Sequence, residues 1–144
     1  MDIRPLTPDY AVSPQIEPAD VAGIAAAGFT TLICNRPDGE VPPDLRAEVL
    51  RAAAERAGLR FVENPMLPGM LDPTTLRRQA EAMSDAIGPV LAYCASGNRS
   101  AILWSLVRAP ELGADGVLAA TQAAGYDHRP FRAAFDSAAA RRAP

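Results

Sequence analysis

The chain has 144 residues, a formal net charge of −3 and 14 arginines without a lysine, and 49% of its residues are hydrophobic. This length and composition fit one compact globular domain, predicted over residues 1–144, and exclude a disordered or fibrous chain. The mild acidity and the scattered arginines argue against nucleic acid or a membrane surface as a partner.

The sequence lacks the signals of export, membrane insertion and metal binding. It has no run of about 18 apolar residues, and its N-terminus carries Arg4 and prolines where a secretory signal would be apolar. The two cysteines, Cys34 and Cys94, and the single histidine are too few for a disulfide framework or a zinc site. We therefore expect a cytoplasmic protein that needs no metal or organic cofactor.

Short apolar stretches alternate with helical patterns along the chain. The pattern predicts strands at residues 9–12, 29–34, 59–62 and 90–94, and helices at residues 17–28, 44–57 and 72–87. Further helical patterns cover residues 99–107, 114–124 and 130–140. Helices between successive strands require crossover connections. The sequence therefore predicts an α/β fold in which helices flank a mainly parallel sheet of four to five strands, with functional loops at the carboxyl ends of the strands.

The segment most indicative of chemistry is Cys94–Ser100, where a buried strand gives way to a helix. Backbone amides and the helix dipole form an anion cradle at such a junction. The loop residues expected to bind the anion are Ala95, Ser96, Gly97 and Asn98. Beside the guanidinium of Arg99, Cys94 is expected to be a thiolate and therefore a nucleophile. Gly97 permits a backbone conformation that a Cβ would block, and Arg99 offers its planar fork to anionic oxygens.

Several segments of the chain resemble one known family. They are Ser13-Pro14-Gln15, Asn35–Glu40, Pro65–Gly69, Cys94–Ser100 and Ala123–Tyr126. Together they resemble the phosphatase-like domain of beta-lactamase hydrolase-like proteins, also described as a sulfur transferase family, over about residues 9–136. The resemblance implies a fold like that of the dual-specificity protein tyrosine phosphatases, with Cys94 as the nucleophile and Arg99 as the anion ligand.

The interval between cysteine and arginine separates two chemistries. Tyrosine phosphatases place five residues between them, whereas four residues separate Cys94 from Arg99, as in the Cys-x-x-Gly-x-Arg loop of rhodaneses. The expected function is therefore a rhodanese-type sulfurtransferase. Its Cys94 takes sulfur from a small sulfane-sulfur donor as a persulfide, and a thiol acceptor removes that sulfur. The family's occasional fusion to a persulfide dioxygenase-like domain implies such a protein as a partner.

A phosphatase that hydrolyses phosphomonoesters through a phosphocysteine is the alternative function. Ser100 matches the hydroxyl that stabilises the leaving thiolate in phosphatases, which makes it the third catalytic candidate. Three observations oppose this interpretation: segment 65–71 has no acid for a leaving oxygen, Tyr93 replaces the usual histidine, and Asp72 is better explained as a helix N-cap. A noncatalytic anion-binding module is the second alternative.

Four residues outside the loop also need an interpretation. Arg36 and Asp38 follow the second predicted strand, at the sheet edge of Cys94, and are candidates for binding the anion or for a proton role. A turn with ion pairs is the more economical interpretation of this segment. Cys34 is expected to fill the core and not to resolve a persulfide, and His128 is expected to lie solvated in a loop without a role.

Overall fold

Five strands and five α-helices lie within residues 1–141, the part of the chain that the computed structural model describes; residues 142–144 of the predicted domain fall outside it. The strands are β1 (Arg4–Thr7), β2 (Tyr10–Ser13), β3 (Thr31–Cys34), β4 (Arg60–Glu63) and β5 (Val90–Tyr93). The helices are α1 (Val21–Ala26), α2 (Ala47–Arg56), α3 (Pro73–Asp85), α4 (Asn98–Ala123) and α5 (Arg132–Ala140).

The strands form one sheet in the order β1-β2-β5-β3-β4. The pair β1 and β2 is antiparallel, and the other three pairs are parallel. This confirms the predicted α/β fold with a mainly parallel sheet. Because β5 lies in the centre and Tyr93 pairs with Ser13 on one side and with Cys34 on the other, the carboxyl ends of three strands meet at one edge. Cys94 follows β5 at that edge.

Strand β1 is the element that the hydropathy pattern did not predict. It contains Pro5, which cannot donate to a strand ladder, and its register with β2 is irregular between Pro5 and Thr7. An outer strand tolerates such a residue because only one of its edges is paired. The predicted strands therefore did not include β1, which forms the outer edge of the sheet and pairs antiparallel with β2.

The sheet has an apolar core on each face, because successive side chains of a strand point to opposite sides. Ile33 belongs to the cluster under α3, α4 and α5, whereas Leu32 and Cys34 belong to the cluster under α1 and α2. Cys34 is only 2% exposed, and burial raises the pKa of its thiol. The prediction that Cys34 fills the core is confirmed.

Helix α4 starts at the predicted loop and is broken near its middle. The break is at Gly113, whose φ of 71° and ψ of 168° are not helical, three residues after Pro110. This position separates the two predicted helical patterns at 99–107 and 114–124. Within residues 1–141, every helix is too short or too polar to cross a lipid bilayer.

Candidate functional site

The candidate site is built around Cys94, which is 1% exposed and stands between β5 and α4. Its backbone amide donates to the carbonyl of Ser13 at 3.4 Å, which ties it to the end of β2. The amide of Gly97 donates to the Cys94 Sγ at 3.2 Å. We call residues 94–99 the Cys loop. The sulfur thus lies at the N-terminus of α4, where the positive end of the helix dipole favours negative charge.

Gly97 is the residue that makes this turn possible. Its φ is 90°, in the left-handed region, and a Cβ added there would lie 2.2 Å from the Tyr126 Oη. Both the backbone conformation and the close approach of the tyrosine therefore require a residue without a side chain. The expectation that Gly97 occupies a position that a Cβ would block is confirmed.

Arg99 is held by a carboxylate from another part of the chain. Its Nη2 and Nη1 donate to the two oxygens of Glu40 at 2.7 and 2.9 Å, and Nη1 also donates to the carbonyl of Met66 at 2.7 Å. The hydrogen bond from Arg99 lowers the pKa of Glu40. The pKa of Arg99 is raised, first by Glu40 and further by the neighbouring Cys94. Glu40 is therefore an ionised partner of the arginine at neutral pH, and it has no proton to donate.

Arg36 and Asp38 lie in the turn that carries Glu40. Arg36 Nε contacts a Glu40 carboxylate oxygen at 3.4 Å, and its Nη2 donates to the Glu40 carbonyl at 3.2 Å. Asp38 is exposed and accepts a hydrogen bond from the amide of Ala47, the first residue of α2, at 2.8 Å. The turn with ion pairs is confirmed. Contact of Arg36 or Asp38 with a bound anion stays a prediction.

Ser100 belongs to a closed ring of buried hydrogen bonds below the Cys loop. Its Oγ donates to Asn35 Oδ1 at 2.9 Å, and Asn35 Nδ2 donates to Gln79 Oε1 at 3.1 Å. Gln79 Nε2 donates to the Tyr10 Oη at 2.9 Å, and that hydroxyl donates to the Ser100 carbonyl at 3.1 Å. The ring joins β2, the end of β3, α3 and α4. Because the Ser100 proton is used by Asn35 here, stabilisation of a thiolate by Ser100 stays a prediction.

The segment after α4 holds the Cys loop from the other side. Tyr126 Oη donates to the carbonyl of Ser96 at 2.8 Å, and His128 Nε2 lies 2.7 Å from the Asn98 Oδ1. The two rings stack with their centroids 5.9 Å apart. Three consecutive loop residues, Ser96, Gly97 and Asn98, therefore contact this segment. We call Tyr126 and His128 the aromatic clamp.

The expectation that His128 lies solvated in a loop is wrong. Its ring is 2% exposed and packs against Phe131 and Phe135 as well as Tyr126. Burial lowers the pKa of His128 and so keeps the imidazole neutral. A single histidine in a loop carries no local signal for burial, because its apolar neighbours come from other turns of the chain.

Sequence reasoning also missed Glu40 and Tyr126 as members of the site. Glu40 follows Arg36 by four residues, which indicated a local ion pair but not the contact with Arg99. Tyr126 lay within one of the segments that carry the family resemblance. Its position in that segment was the available signal, because nothing in its local sequence predicts a contact with the Cys loop.

Asp72 is confirmed as a helix N-cap. Its Oδ1 accepts a hydrogen bond from the amide of Thr74 at 2.7 Å, in the first turn of α3. The preceding segment 65–71 enters the site through a backbone group, the carbonyl of Met66 bound to Arg99. It supplies no carboxyl group, as its sequence predicted.

Comparison with known proteins identifies relatives of the whole site region. The family model described as the phosphatase-like domain of beta-lactamase hydrolase-like protein matches residues 2–111. A beta-lactamase hydrolase-like protein from Xylella fastidiosa, strain Temecula1, is 30% identical over 129 residues, which cover 88% of this chain and 30% of that protein. The chain thus spans less than a third of the length of that relative.

Proteins of known structure that share this fold are described as phosphatases. A candidate phosphatase from Neisseria meningitidis Z2491 superposes with a TM-score of 0.83 at 33% identity, covering 96% of this chain and 99% of that one. The core catalytic domain of the PP-IP phosphatase SIW14 from S. cerevisiae superposes with a TM-score of 0.70 at 14% identity, covering 95% and 84%. These likenesses confirm the phosphatase-like fold. Because the family model matches most of the length of this chain, the chain belongs to the family of the phosphatase-like domain of beta-lactamase hydrolase-like proteins.

Proposed function

We propose that this chain is a cysteine-dependent phosphatase that acts on phosphomonoesters. One observation carries the proposal: the Cys94 sulfur lies at the N-terminus of α4, 3.2 Å from the amide nitrogen of Gly97, in the loop that also holds Arg99. The phosphatase-like fold and the descriptions of its structural neighbours support this function. They weigh more than the four-residue interval between Cys94 and Arg99, which had favoured sulfur transfer.

The proposed reaction has two steps. In the first, the Cys94 thiolate attacks phosphorus: an S–P bond forms, the ester P–O bond breaks, and its electron pair leaves on the ester oxygen. In the second, a water oxygen attacks phosphorus: a P–O bond forms, the S–P bond breaks with its electron pair on the Cys94 sulfur, and the water protons pass to the released phosphate and to solvent. The loop amides and Arg99 would bind the three remaining phosphoryl oxygens and stabilise the charge in both steps. Glu40 would hold the guanidinium in place for this contact.

The leaving oxygen must obtain a proton, and the nearby carboxyl groups are engaged elsewhere. Glu40 is ionised by its pairing with Arg99, and Asp38 and Asp72 bind backbone amides at the starts of α2 and α3. Water is therefore the expected proton donor. We expect turnover to depend steeply on the leaving group, with 4-nitrophenyl phosphate hydrolysed faster than phenyl phosphate and alkyl phosphates slowest.

The test measures phosphate release from 4-nitrophenyl phosphate by the wild-type protein and two matched variants. Cys94→Ser is expected to lower kcat by on the order of 100-fold or more, because the nucleophile is lost. Cys34→Ser, which removes the other buried thiol, is expected to retain activity. Equal turnover by the wild-type protein and Cys94→Ser would exclude a phosphocysteine and reject the proposed mechanism.

Sulfur transfer is the second candidate, and the short interval between Cys94 and Arg99 favours it. Its leaving group, sulfite, needs no general acid, whereas the alkoxide that leaves a phosphomonoester does. The thiolate would attack the outer sulfur of thiosulfate, so that a new S–S bond forms and sulfite leaves with the electron pair. The thiolate of an acceptor would then attack this outer sulfur: a new S–S bond forms on the acceptor, and the Cys94 S–S bond breaks with its electron pair on the Cys94 sulfur. A persulfide dioxygenase-like protein is the partner that this function would require to consume the product.

Intact mass measurement separates the two functions. After exposure to thiosulfate, a gain of about 32 mass units in the wild-type protein and Cys34→Ser, absent from Cys94→Ser and removed by cyanide, would support sulfur transfer. This gain without phosphate release would replace the phosphatase proposal. Phosphate binding with neither reaction would instead support a noncatalytic anion-binding module.

A further inference from the structure

An apolar groove of about 370 Å³ opens beside the Cys loop. It lies between segment 66–71, the first part of α4 and the start of α5. Its apolar walls include Leu71, Ile102, Leu106 and Phe131. Most of its lining is apolar, and the proposed reaction assigns these apolar side chains no role.

The groove meets the Cys loop at Asn98 and Arg99, the last two residues of that loop. Within residues 1–141, Arg99 is the one charged residue that lines the groove. The Asn98 side chain is held by His128, and Arg99 is held by Glu40. An anion bound at the N-terminus of α4 would thus have the groove directly beside it. The remaining lining offers a ligand apolar contact and no second cation.

The rim of the groove leaves apolar surface in water. Leu71 is 45% exposed and Phe131 is 42% exposed. A ligand with an apolar body would cover both side chains, and burial of such surface is favourable in proportion to its area. A ligand with several phosphates would gain nothing from these walls. Within the groove, its further phosphates would lie against apolar side chains.

We propose that the groove binds the apolar body of the substrate while the Cys loop binds its single anionic head. The substrate class is a phosphomonoester of an apolar alcohol or phenol, and polyanionic sugars and nucleotides are excluded. This inference rests on the proposed function for the identity of the head group. It assigns the groove, which the proposed reaction does not use, as the specificity site.

Binding of phosphonates tests this assignment without turnover. Isothermal titration calorimetry would compare inorganic phosphate, methylphosphonate, octylphosphonate and inositol hexakisphosphate with the wild-type protein. We expect octylphosphonate to bind at least on the order of 100-fold more tightly than methylphosphonate, since each buried methylene adds affinity. Inositol hexakisphosphate is expected to bind no better than methylphosphonate.

Three variants locate the effect. Leu71→Ser and Phe131→Ser are each expected to reduce the ratio of octylphosphonate to methylphosphonate affinity by about 10-fold, because each removes apolar wall. Ile87→Ser is the matched control: Ile87 is 94% exposed and lies outside the groove, so the ratio should not change.

Each adverse outcome has a distinct meaning. Equal affinity for methylphosphonate and octylphosphonate, with phosphate still bound, would reject the groove and leave the proposed function standing. Preferential binding of inositol hexakisphosphate would also reject the groove and indicate a polyanionic substrate. Failure of all four anions to bind would reject both proposals. An octylphosphonate preference that survives in Leu71→Ser and Phe131→Ser would place the apolar site elsewhere.

Discussion

Gly97 lies where the Cys loop turns into α4, and the aromatic clamp closes on it. Because its φ is 90° and a Cβ would meet Tyr126 Oη at 2.2 Å, we expect Gly97→Ala to lower the free energy of unfolding by more than the roughly 1–2 kcal/mol of left-handed strain. The clash should also displace Tyr126 from the Ser96 carbonyl and weaken phosphate binding. Urea unfolding and calorimetry measure the two effects.

Gly39→Ala is the control for this substitution. Gly39 does not have a positive φ, and a Cβ added there would meet no atom within 4 Å. Its effect on the free energy of unfolding should stay within about 0.5 kcal/mol. If Gly97→Ala were as mild as Gly39→Ala, the clamp would not constrain the Cys loop.

The pairing with Glu40 restrains the guanidinium of Arg99. Two parallel hydrogen bonds fix the plane of the guanidinium, and the Met66 carbonyl fixes its edge. The Arg99 side chain is 11% exposed, so little water competes for these contacts. An arginine held in this way loses less conformational freedom when it binds an anion than a mobile one would.

At the scale of elements, the N-cap of α3, Asp72, also provides a test of which group protonates the leaving oxygen. Asp72→Ala should destabilise the protein by about 1 kcal/mol, because the amide of Thr74 loses its acceptor, whereas Asp72→Asn should retain most of the stability. Asp72→Asn should also leave the turnover of 4-nitrophenyl and alkyl phosphates unchanged. A selective loss of alkyl phosphate turnover in Asp72→Asn would identify this carboxyl group as the missing acid.

A buried ring of hydrogen bonds connects β2, the end of β3, α3 and α4. Its members are Ser100, Asn35, Gln79 and Tyr10. Each side chain in it is at most 3% exposed. Loss of one member would leave the others buried without partners, which costs more than the lost bond itself. The first turn of α4, and with it the Cys loop, is thereby held against the end of β3 and against α3.

At the scale of the whole molecule, the buried His128 makes stability depend on pH. Its pKa is lowered by burial from the usual value of 6.5, so below about that pH the unfolded chain binds more protons than the folded one. Stability is therefore fully present above pH 6.5 and falls as the pH decreases towards the folded pKa. We expect wild-type thermal stability, measured from pH 7.5 to pH 5, to decline as the pH falls below about 6.5.

His128→Gln tests the source of this dependence, because glutamine retains an N–H donor for Asn98 and does not titrate. The variant should show a flatter stability curve in this window, whatever its stability at pH 7.5. Below about pH 5 both proteins should lose stability, because Glu40 is a paired carboxylate with a lowered pKa that becomes protonated. Equal slopes for both proteins between pH 6.5 and 5 would contradict the role of His128.

Local sequence chemistry determined most of the elements and the centre of the site. Apolar stretches predicted the strands β2 to β5, Asp72 with Pro73 marked the start of α3, and the strand-to-helix junction identified the Cys loop. These features depend on residues a few positions apart, so they are visible without knowledge of the fold. Cys34 was also correctly predicted to lie in the core, because a cysteine in an apolar strand that is covered on both faces is buried with the rest of the strand.

Tertiary structure decided which distant groups surround that centre. Glu40 reaches Arg99 across 59 positions, and Tyr126 and His128 reach Ser96 and Asn98 across 30. Strand β1 forms because it pairs with the free edge of β2, although Pro5 within it cannot donate a backbone hydrogen bond. Such contacts follow from strand order and from how helices pack on each face, and neither property is encoded in a short window of sequence. The candidate nucleophile, Cys94, could therefore be named from the sequence, whereas the partner of Arg99, the aromatic clamp and the apolar groove required the fold.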